Sequence, residues 1–561
     1  MSEKGGQPVE QGKRFTTESG IPVKSVYTKE DVKDIKQEDI GLPGQYPFTR
    51  GIHPEMYRKR VWTSRPIRGI GSMKENIEWQ QYLLRMGETG LGMIDDLPSR
   101  AALDPDHPYL EGAQGRIGVS VASLKDMEMF VREMPIDEVS VAWHTNKAFH
   151  ASAYIVAAQQ AGYDIAKLRG TFGGTLIDLI PAFPNLRYLL REVDGRRCNE
   201  WRLNLDLDAF VLRHMPSVNL TGPYIYNMRE AGVNAVQEVA FAFAAAKDEI
   251  AHLLQRGIDI NTIGRRYSFT MAVRDDFFEE VAKFRAARRV WAKLMKEHFH
   301  ATDDRSLMFR AFCHTGGIYF HRQQPLVNII RATVLTLAGV LGGTQAISTA
   351  CYDEPFGLPH EHAARIAERT TQVIAHETGI INTVDPLGGS YYIEYLTGEV
   401  EKRIWALLDE IEGRGGLWEA MKSGWVDKII ADAQLRIQNE IEKKERVIVG
   451  VNEYTIPPED EEQIPLRKVP LEMSRGRAEE IRELKRTRDN RKTKAALEDL
   501  YRAAKNYQND LMPPVFEAIR AYATIGEIYG VLRLAEGWDY DIHFHQVKYP
   551  FGEIEEAAGV R

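Results

Sequence analysis

The chain has 561 residues, of which 43% are hydrophobic, and a formal net charge of −8 from 72 basic and 80 acidic side chains. Neither sign of charge is concentrated in one region, so the composition is not typical of a protein that binds nucleic acid or anionic membranes. Three cysteines without zinc-ligand spacing, Cys198, Cys313 and Cys351, and the lack of any run of about 18 apolar residues predict a soluble, cytoplasmic protein that spans no membrane.

The first forty residues mix both charges with glycine and serine and show no apolar segment typical of a signal peptide. We interpret residues 1–40 as an N-terminal arm that is flexible until it docks. Residues 41–455 are expected to form one large domain, and residues 456–561 a linker with a C-terminal helical extension. The proline- and acid-rich stretch 456–470 and the charged helical segment 474–505, which we expect to lie on the surface with a solvated face, indicate this boundary.

Between residues 110 and 350, short segments with strand character alternate with longer segments of helical period. This alternation predicts βα units around a parallel sheet. A closed barrel accounts for it best, and an open doubly wound sheet is the alternative, because periodicity does not give the strand order. The predicted strands are 138–144, 168–172, 218–225, 266–273 and 309–314, and the predicted helices are 147–160 and 234–256.

Standard catalytic motifs do not occur in the sequence: it has no Walker loop, no dinucleotide fingerprint opening a βαβ unit and no zincin helix. Glycine pairs at 173–174, 316–317, 342–343 and 388–389 indicate turns or close backbone approaches. Several longer blocks are more specific. In chain order they are YPFTRG at 46–51, MREAG at 228–232, VAKFRAARRVWAKL at 281–294, VLGGTQ at 340–345, Asp353 with Glu354, and VDPLGGSYY at 384–392.

Together these blocks resemble the methylmalonyl-CoA mutase family, over roughly residues 45–455 and more weakly to residue 530. The resemblance implies an α/β fold, a (β/α) TIM-type barrel threaded by an acyl-CoA, with cobalamin over the carboxyl ends of the strands. A threaded barrel needs small or polar side chains pointing inward. The predicted strands supply Ser140, Ala142, Thr171, Ser268 and Thr270.

The family's cobalt-ligating sequence, D-x-H-x-x-G, does not occur in this chain. The nearest string contains Asp541 and His543 but lacks the glycine, and we interpret His543 as a surface or subunit-contact residue. The resemblance therefore implies adenosylcobalamin whose cobalt is ligated by a small cobalamin-binding partner subunit in a hetero-oligomer, with no metal ligand in this chain. It leaves open whether a GTPase chaperone loads the cofactor.

The resemblance also implies a set of CoA-binding residues. The block that contains Arg60, Thr63 and Arg65 matches the family's CoA-contacting sequence R-x-W-T-x-R. Arg266 and Arg310 fall at matching strand positions. Arginine forks suit the phosphate and pyrophosphate groups of CoA, although a single arginine is otherwise a surface ion-pair partner.

Three further residues are assigned to the cofactor by the same resemblance. Glu354 matches a carboxylate that contacts the adenosyl ribose, whose hydroxyls suit two acceptor oxygens. Glu230 matches one near the corrin amides, and Gln345 ends the VLGGTQ block. Without the motifs around them, both acids would be interpreted as solvated helix or loop carboxylates.

The chain departs from the family at positions expected to surround the acyl group. Methylmalonyl-CoA mutases hold the free carboxylate of the substrate with an arginine that comes ten residues after a glutamine. In this chain Gly173 replaces the glutamine, and Phe183 lies near the position of the arginine. Burying a carboxylate without a matched cation costs several kcal/mol, which argues against a dicarboxylic acyl-CoA. Four nearby arginines could substitute, namely Arg187, Arg191, Arg196 and Arg197.

A family tyrosine that presses on the reacting fragment is replaced by Ile67, as in the 2-hydroxyisobutyryl-CoA mutase branch of the family. That branch holds the substrate hydroxyl with an aspartate. Here Ile94 stands at the aligned position, and Asp95 and Asp96 follow it, so Asp95 is the candidate for this role.

Other replacements concern the thioester and its surroundings. The family histidine that hydrogen-bonds the thioester carbonyl is replaced by Asn227, after Tyr226, and an amide can still donate to that oxygen. A family glutamine is replaced by His314. His144, at a strand end where the family has threonine, either bonds a substrate hydroxyl or belongs to a polar barrel core.

The sequence therefore predicts an isomerase, an acyl-CoA mutase that rearranges a carbon skeleton by adenosylcobalamin-dependent radical chemistry. We expect a monocarboxylic acyl group that is hydroxylated or bulky, of the 2-hydroxyisobutyryl-CoA/3-hydroxybutyryl-CoA type. One alternative is a mutase for a dicarboxylic acyl-CoA such as methylmalonyl-CoA. The other is a catalytically silent paralogue that binds CoA esters.

Overall fold

The structure, a computed structural model, describes residues 15–144, 147–173, 180 and 184–554. Its centre is a ring of parallel strands with helices outside, so the predicted α/β barrel is confirmed. The strands are β1 (Thr63–Ser64), β2 (Ile67–Arg68), β3 (Gly90–Ile94), β4 (Ser140–His144), β5 (Gly170–Gly173), the separate hairpin β6 (Glu192–Val193) and β7 (Arg196–Arg197), β8 (Val218–Thr221), β9 (Tyr267–Val273), β10 (Arg310–Thr315) and β11 (Ala346–Ser348).

Two short strands, β1 and β2, close the ring. β1 pairs with β11 and β2 pairs with β3, and between them the order is β11, β10, β9, β8, β5, β4, β3. Only Arg65 and Pro66 separate β1 from β2, so residues 63–68 form one strand interrupted by a proline, which has no N–H for the ladder. Within the described residues the sheet is therefore an eight-stranded closed barrel.

Helices surround the barrel and make up most of the C-terminal region. Their bounds are α1 (Gln37–Ile40), α2 (Met56–Lys59), α3 (Met73–Met86), α4 (Leu97–Arg100), α5 (Leu124–Glu133), α6 (Lys147–Gln160), α7 (Asn199–His214), α8 (Tyr226–Glu230), α9 (Ala235–Gln255), α10 (Ile260–Arg266), α11 (Phe277–Lys293), α12 (Val327–Leu341), α13 (Glu361–Glu377), α14 (Tyr391–Gly413), α15 (Leu417–Lys422), α16 (Trp425–Glu442), α17 (Leu471–Thr487), α18 (Asn490–Lys505), α19 (Met512–Arg520) and α20 (Ile525–Ala535).

Helix α9 shows how the sequence sets the bounds of these elements. The Asn234 side chain accepts a hydrogen bond from Gln237 N, and the Gln237 side chain accepts one from Asn234 N, both at 2.9 Å. Phe243 and Ile250 are fully buried on the face that packs into the core. Gly257, with φ of +75°, follows the helix and ends it within one residue of the predicted bound at 256.

The N-terminal arm is docked against the barrel in the described range that starts at residue 15. Glu18 is buried between Arg229 and Arg274, with O···N distances of 2.6 and 3.1 Å. Tyr27 packs on Tyr392 of α14, with ring centroids 4.9 Å apart. This part of the arm therefore belongs to the folded structure and reaches the carboxyl side of the barrel.

The C-terminal helices α17 to α20 pack on the side of the barrel formed by α5, α6 and α7. Two buried ion pairs fix them there: Arg477 lies 3.0 Å from Asp126, and Arg533 lies 2.7 Å from Glu200. The charged segment 474–505 buries an apolar face and leaves most of its charges in solvent, as expected. Among the helices that the structure describes, none has both the length and the apolar content needed to cross a bilayer.

Candidate functional site

The barrel encloses a cavity of about 700 Å³ along its axis. The inward side chains are small or polar, whereas ordinary barrels fill this space with layers of bulky branched residues. The cavity begins at Arg310, at the amino end of β10, and extends to His144, the last residue of β4. Four of the five small residues predicted to face it line its wall together with two from β8, namely Ser140, Thr171, Ser268, Thr270, Asn219 and Thr221.

Positive side chains surround the amino end of the cavity. Arg60 is exposed beside Lys59, and Arg310 is half-buried. The Arg310 guanidinium donates to the carbonyl oxygens of Gly264 at 3.1 Å and Arg305 at 2.9 Å, and burial lowers its pKa to about 10. Neither Arg60 nor Arg310 forms an ion pair with a carboxylate of the described residues. Lys59, Arg60, Arg169 and Arg310 outnumber the one lining acid, Glu138, so the mouth has an excess of positive charge, which suits phosphate groups.

Arg266, also predicted to bind CoA, is not in the wall of the cavity. It is the last residue of α10, and its Nη2 donates to Met215 O at 2.6 Å. Burial lowers its pKa to about 10. Its charge lowers the pKa of Arg310, so Arg266 adds positive potential near the mouth without facing the cavity itself.

Arg65 projects into the middle of the cavity from the break between β1 and β2. Its two terminal nitrogens donate to Thr171 Oγ1 at 3.1 Å and Ser140 Oγ at 3.2 Å, while its Nε has no partner among the described residues. Burial lowers its pKa to about 10. Gly90 makes room for it, because a Cβ there would lie 3.0 Å from Arg65 Nε. Thr63 lines the same wall.

His144 ends the cavity on the carboxyl side. Its side chain is 5% exposed, and neither ring nitrogen has a hydrogen-bond partner among the described residues. Aromatic rings flank it: the Phe312 centroid is 5.7 Å away and the Tyr224 centroid 6.3 Å away. Burial, followed by the charge of Arg65, lowers its pKa to about 3, so the ring is neutral near pH 7.

His314 and Tyr226 lie beyond this layer, with ring centroids 4.9 Å apart. Burial lowers the pKa of His314 to about 3, and its Nδ1 has no partner in the described part of the chain. Asn227 follows Tyr226 on α8 and is half-buried. Ile67 is half-buried in β2, and its amide donates to Ser348 Oγ at 3.1 Å. The predicted acyl-site residues other than Asp95 therefore belong to the carboxyl end of the barrel.

Glu230 and Glu354 converge on the glycine pair that follows β10. A Cβ at Gly317 would lie 3.3 Å from Glu230 Oε2 and 3.4 Å from Glu354 Oε1, and one at Gly316 would lie 2.9 Å from Glu230 Oε1. Ile318 N donates to Glu230 Oε2 at 2.8 Å. Glu230 Oε1 is buried and has no partner among the described residues. The lack of side chains at the two glycines thus lets both carboxyl groups approach the backbone here, and Glu230 Oε1 can accept a hydrogen bond from a ligand.

The charge of these two acids is set by their surroundings. Burial raises the pKa of Glu230 to about 7, although the Ile318 amide and Arg274 oppose that shift. Burial also raises the pKa of Glu354, and the nearby Arg68 guanidinium opposes it. The site therefore has weakly charged acceptors rather than two strong anions, which favours neutral hydroxyl and amide donors.

Asp95 does not face the cavity, contrary to the prediction. Consecutive strand residues alternate between faces, so Asp95 points away from the side that Ile94 occupies. Its carboxylate lies 3.5 Å from both Arg100 Nε and His150 Nδ1, between the strand and its helices. Asp96 caps α4 by accepting from Ser99 N at 2.9 Å. Neither aspartate can contact an acyl group in the bore.

Gln345 does not join Glu230 and Glu354, contrary to its assignment to the cofactor. It precedes β11 and therefore lies at the amino end of the barrel, because all strands of the ring run in parallel. Its Oε1 accepts from Ala311 N at 2.7 Å, and its side chain lines the cavity mouth. Its position suits contact with CoA rather than with a corrin at the opposite end.

The four arginines that could replace the missing carboxylate ligand all lie outside the barrel. Arg187 is paired with Asp427 at 2.6 Å on the surface, and Arg197 pairs with Asp248. Arg191 is exposed beside Lys422 and Trp538, and Arg196 lies over the ring of Tyr507. Gly173 ends β5, whereas Gly174, Thr175 and Phe183 are outside the described residues.

Asp541 and His543 make contacts within the chain. Asp541 Oδ2 lies 3.0 Å from His107 Nε2, and His543 Nε2 lies 3.2 Å from Ala101 O. His543 is half-buried, and its interpretation as a surface or subunit-contact residue stays a prediction. Across the described ranges, no group of three or more His, Cys, Asp or Glu side chains is arranged to hold a metal ion.

A buried charge network next to Glu230 was not found by sequence reasoning. Arg229 contacts Glu18 at 2.6 Å and Glu280 at 2.7 Å, and Lys283 contacts Glu238 at 2.7 Å. Arg229 belongs to the quoted block 228–232, but Glu18 comes from the arm, where no motif marked it. The network anchors the helix that presents Glu230.

Comparisons with known proteins agree with this architecture. A family model described as methylmalonyl-CoA mutase matches residues 16–538. The 2-hydroxyisobutanoyl-CoA mutase large subunit of Aquincola tertiaricarbonis is 35% identical over 531 residues, covering 92% of this chain and 91% of that protein. The methylmalonyl-CoA mutase of Rhizobium meliloti (strain 1021) is 34% identical over 551 residues, covering 96% of this chain and 75% of that protein. The mitochondrial methylmalonyl-CoA mutase of Homo sapiens is 32% identical over 531 residues, covering 93% of this chain and 68% of that protein.

Proposed function

This chain belongs to the methylmalonyl-CoA mutase family, and from that premise we propose that it isomerises a monocarboxylic acyl-CoA whose acyl group is hydroxylated or bulky. Mutases of this family are cobalamin-dependent isomerases. The reaction type that we favour is the interconversion of a 2-hydroxyisobutyryl and a 3-hydroxybutyryl thioester of CoA. The reaction moves the thioester carbonyl carbon between adjacent carbon atoms.

One observation supports this proposal above all: the barrel is hollow, and its two ends differ in charge. Arg60 and Arg310 make the amino mouth cationic, while Glu230 and Glu354 border the carboxyl end. An acyl-CoA has the same polarity, with phosphates at one end and an uncharged thioester at the other. We therefore place the phosphates at the mouth, the pantetheine arm beside Arg65, and the acyl group near His144.

The charge of the acyl end supports a substrate without a second carboxylate. Burial keeps His144 and His314 neutral near pH 7. Arg65 donates to Thr171, which pairs with Ala142, so its head group lies closer to the amino end than His144 does. Arg68, whose charge lowers the pKa of His314, already lies among the carboxyl groups of Glu88, Asp353 and Glu354. A free carboxylate beside the two histidines would therefore be buried without a cation of its own, which is unfavourable.

We propose adenosylcobalamin as the cofactor, with its cobalt ligated by a small partner subunit in a hetero-oligomer. A relative named as a large subunit aligns with this chain over nearly its whole length. When bound, this cofactor supplies the radical that starts the rearrangement. Glu230, beside Gly316 and Gly317, suits its hydroxyl and amide groups, because Glu230 Oε1 is buried there without a partner among the described residues.

The residues of this chain would contribute binding, orientation and exclusion of water. Arg65 and Thr63 fix the thioester arm along the axis, so the acyl group arrives at one depth in the barrel. The layer formed by His144, Phe312 and Tyr224 encloses the reacting fragment. A closed wall matters because a radical would otherwise react with whichever group reaches it first.

The test is a reconstitution of the purified chain with a cobalamin-binding subunit and adenosylcobalamin, followed by a screen of acyl-CoA thioesters with product analysis by mass spectrometry. We expect turnover of hydroxylated or branched monocarboxylic thioesters. Turnover restricted to methylmalonyl-CoA or ethylmalonyl-CoA would overturn the substrate assignment. The absence of a cob(II)alamin signal by electron paramagnetic resonance with every thioester would instead favour a silent CoA-ester-binding protein.

A further inference from the structure

We propose that His144 is the specificity-determining residue that binds a hydroxyl group on the acyl chain, which makes a hydroxyacyl-CoA the substrate class of this site. This inference rests on the proposed function, since it assumes that an acyl-CoA threads the barrel. It assigns a role that the predicted aspartate, Asp95, cannot fill, because Asp95 lies on the outer face of β3 between Arg100 and His150.

His144 lies at the depth in the barrel that the acyl group of a threaded acyl-CoA would reach. Ala142 pairs with Thr171 across β4 and β5, and Thr171 Oγ1 accepts from Arg65. His144 is the next inward residue on β4 and the last one that lines the cavity on that strand. A thioester that enters past Arg310 and Arg65 would therefore reach His144 with its acyl end.

The ring of His144 is arranged for a ligand rather than for the protein. Both ring nitrogens are buried, and neither has a hydrogen-bond partner among the described residues. Its side chain is 5% exposed, so bulk water does not satisfy these atoms. Phe312 and Tyr224 pack around it at 5.7 and 6.3 Å between centroids and fix where it stands. A buried polar group without a partner is unfavourable, and a bound hydroxyl would remove that penalty.

The protonation state of His144 matches a hydroxyl better than the alternatives. Burial, the Arg65 guanidinium and the neighbouring His314 all lower its pKa, to about 3, so the neutral ring offers one N–H donor and one acceptor nitrogen. A hydroxyl can accept from the first and donate to the second, depending on how its oxygen is placed. A thioester carbonyl or a carboxylate can only accept, so either could use the N–H but not the acceptor nitrogen.

The neighbouring groups provide a second donor or acceptor for the same ligand. Thr270 Oγ1 lines the cavity and is buried without a hydrogen-bond partner in the described chain. His314 Nδ1, on β10, is also unpartnered there. The groups around this layer are thus Arg65 from the β1–β2 break, two neutral histidines and a threonine, and the charge of Arg68 reaches His314 from β2. The one carboxylate that lines the cavity among the described residues, Glu138, precedes β4 and lies at the amino end. Such a layer can hold an uncharged, hydroxylated fragment.

The experiment measures equilibrium binding of two thioesters to the full purified chain by titration calorimetry, without cobalamin. The probes are 3-hydroxybutyryl-CoA and butyryl-CoA, which differ by one hydroxyl. We expect the wild-type chain to bind the hydroxylated ester about tenfold more tightly, as one well-placed hydrogen bond in a buried site would give. His144→Phe should abolish this preference and leave the affinity for butyryl-CoA within about threefold.

Two further variants keep the outcome interpretable. His144→Gln retains a donor and an acceptor and should restore part of the preference, which a purely structural role of the ring would not explain. Arg65→Ala should weaken both esters by the same factor, because the two probes share the CoA part. Preserved butyryl-CoA binding by His144→Phe also shows that this variant is folded.

The failures of the two proposals differ in this assay. If the wild-type chain binds both esters equally and His144→Phe changes neither, the role of His144 is overturned while acyl-CoA binding stands. If the wild-type chain binds neither ester, the acyl-CoA assignment fails and the role of His144 fails with it. Tighter binding of methylmalonyl-CoA than of 3-hydroxybutyryl-CoA would also contradict the inference, because it requires a cation at the acyl end.

Discussion

Glu18 Oε2 lies 2.6 Å from Arg229 Nη2, so a residue of the N-terminal arm forms a buried ion pair with the residue that directly precedes Glu230. The other oxygen of Glu18 lies 3.1 Å from Arg274. The Cγ atom of Arg274 is 3.2 Å from a Cβ position on Gly316, the glycine that Glu230 Oε1 also approaches. The arm therefore compensates the charge of the two arginines on which the carboxyl end of the barrel is built.

We expect Glu18→Ala to lower the free energy of unfolding by about 3–5 kcal/mol, because Arg274 loses the carboxylate that it contacts and Arg229 loses one of its three. Chemical denaturation at neutral pH measures this. Glu30→Ala on the same arm is the control. Glu30 is exposed, and its single ion pair, with Lys33, is long at 3.8 Å, so this substitution should change the free energy of unfolding by less than about 0.5 kcal/mol. Equal effects of the two variants would contradict the role of Glu18.

The same pair predicts a dependence of stability on pH. Although burial opposes it, the charges of Arg229 and Arg274 lower the pKa of Glu18 from 4.5 to about 2 in the folded protein. A carboxyl with a lowered pKa contributes its full stabilisation above its unfolded value and loses it as the pH falls through the folded value. The wild-type chain should therefore lose stability relative to Glu18→Ala between about pH 4.5 and pH 2. Parallel curves over this range would contradict the account.

Glu230 predicts a dependence of the opposite sign. Burial raises its pKa from 4.5 to about 7, so folding favours the protonated acid and stability falls as the pH rises through this interval. Glu230→Gln should therefore match the wild type near pH 4 and be more stable by about 1–2 kcal/mol at pH 8, allowing for the partial exposure of the side chain. Thermal denaturation across this range measures the difference. A destabilised variant at pH 8 would show that the ionised carboxylate is needed for folding.

Arg65 predicts a conflict between stability and binding. It is a buried cation without a carboxylate partner in the described residues, so Arg65→Met should leave the free energy of unfolding unchanged or raise it. The same change should weaken binding of any CoA ester by about 1–3 kcal/mol, because a charge-assisted hydrogen bond is lost. Denaturation and calorimetry on the same preparation test both statements. Unchanged ester affinity would remove Arg65 from the binding site.

Ile67 predicts a change in turnover that leaves CoA affinity intact. If it borders the reacting fragment, Ile67→Tyr should reduce kcat for a bulky or hydroxylated substrate at least tenfold and change KM far less, since the CoA contacts lie elsewhere. Ile67→Val, which keeps the apolar surface and enlarges the pocket slightly, is the matched control and should retain most turnover. Equal losses in kcat and in ester affinity would contradict this placement.

Sequence reasoning located the barrel because its central strands alternate with well-formed helices. The predicted strand 266–273 and the observed β9 (Tyr267–Val273) differ by one residue, and the capped helix after Asn234 begins where expected. It missed β3 because Gly90 and Gly92 have low strand propensity. Both glycines are required by the packing of the barrel wall, since a Cβ on Gly92 would lie 2.6 Å from Pro66 O and one on Gly90 would lie 3.0 Å from Arg65 Nε. Close packing around Arg65 and Pro66 thus removed the local strand signal.

The site could be predicted only where a motif and a strand position agreed. Arg60, Thr63 and Arg65 line one cavity because the block R-x-W-T-x-R leads into the break that closes the barrel, and Arg310 lines its mouth because it begins β10. The prediction for Asp95 was wrong because an offset of one residue along a strand moves the side chain from the inner to the outer face of the barrel. The assignment of Gln345 to the cofactor was wrong for a related reason. The motif VLGGTQ ends directly before β11, so Gln345 lies at the amino end of the barrel and not at the carboxyl end.

A crystal structure of the chain with a bound CoA thioester tests the central claim most directly. The account predicts continuous density for the pantetheine arm along the barrel axis, with the phosphates beside Arg60 and Arg310 and the acyl group within hydrogen-bond distance of His144. Density for the thioester on the outer surface, with the interior of the barrel holding only water, would contradict it.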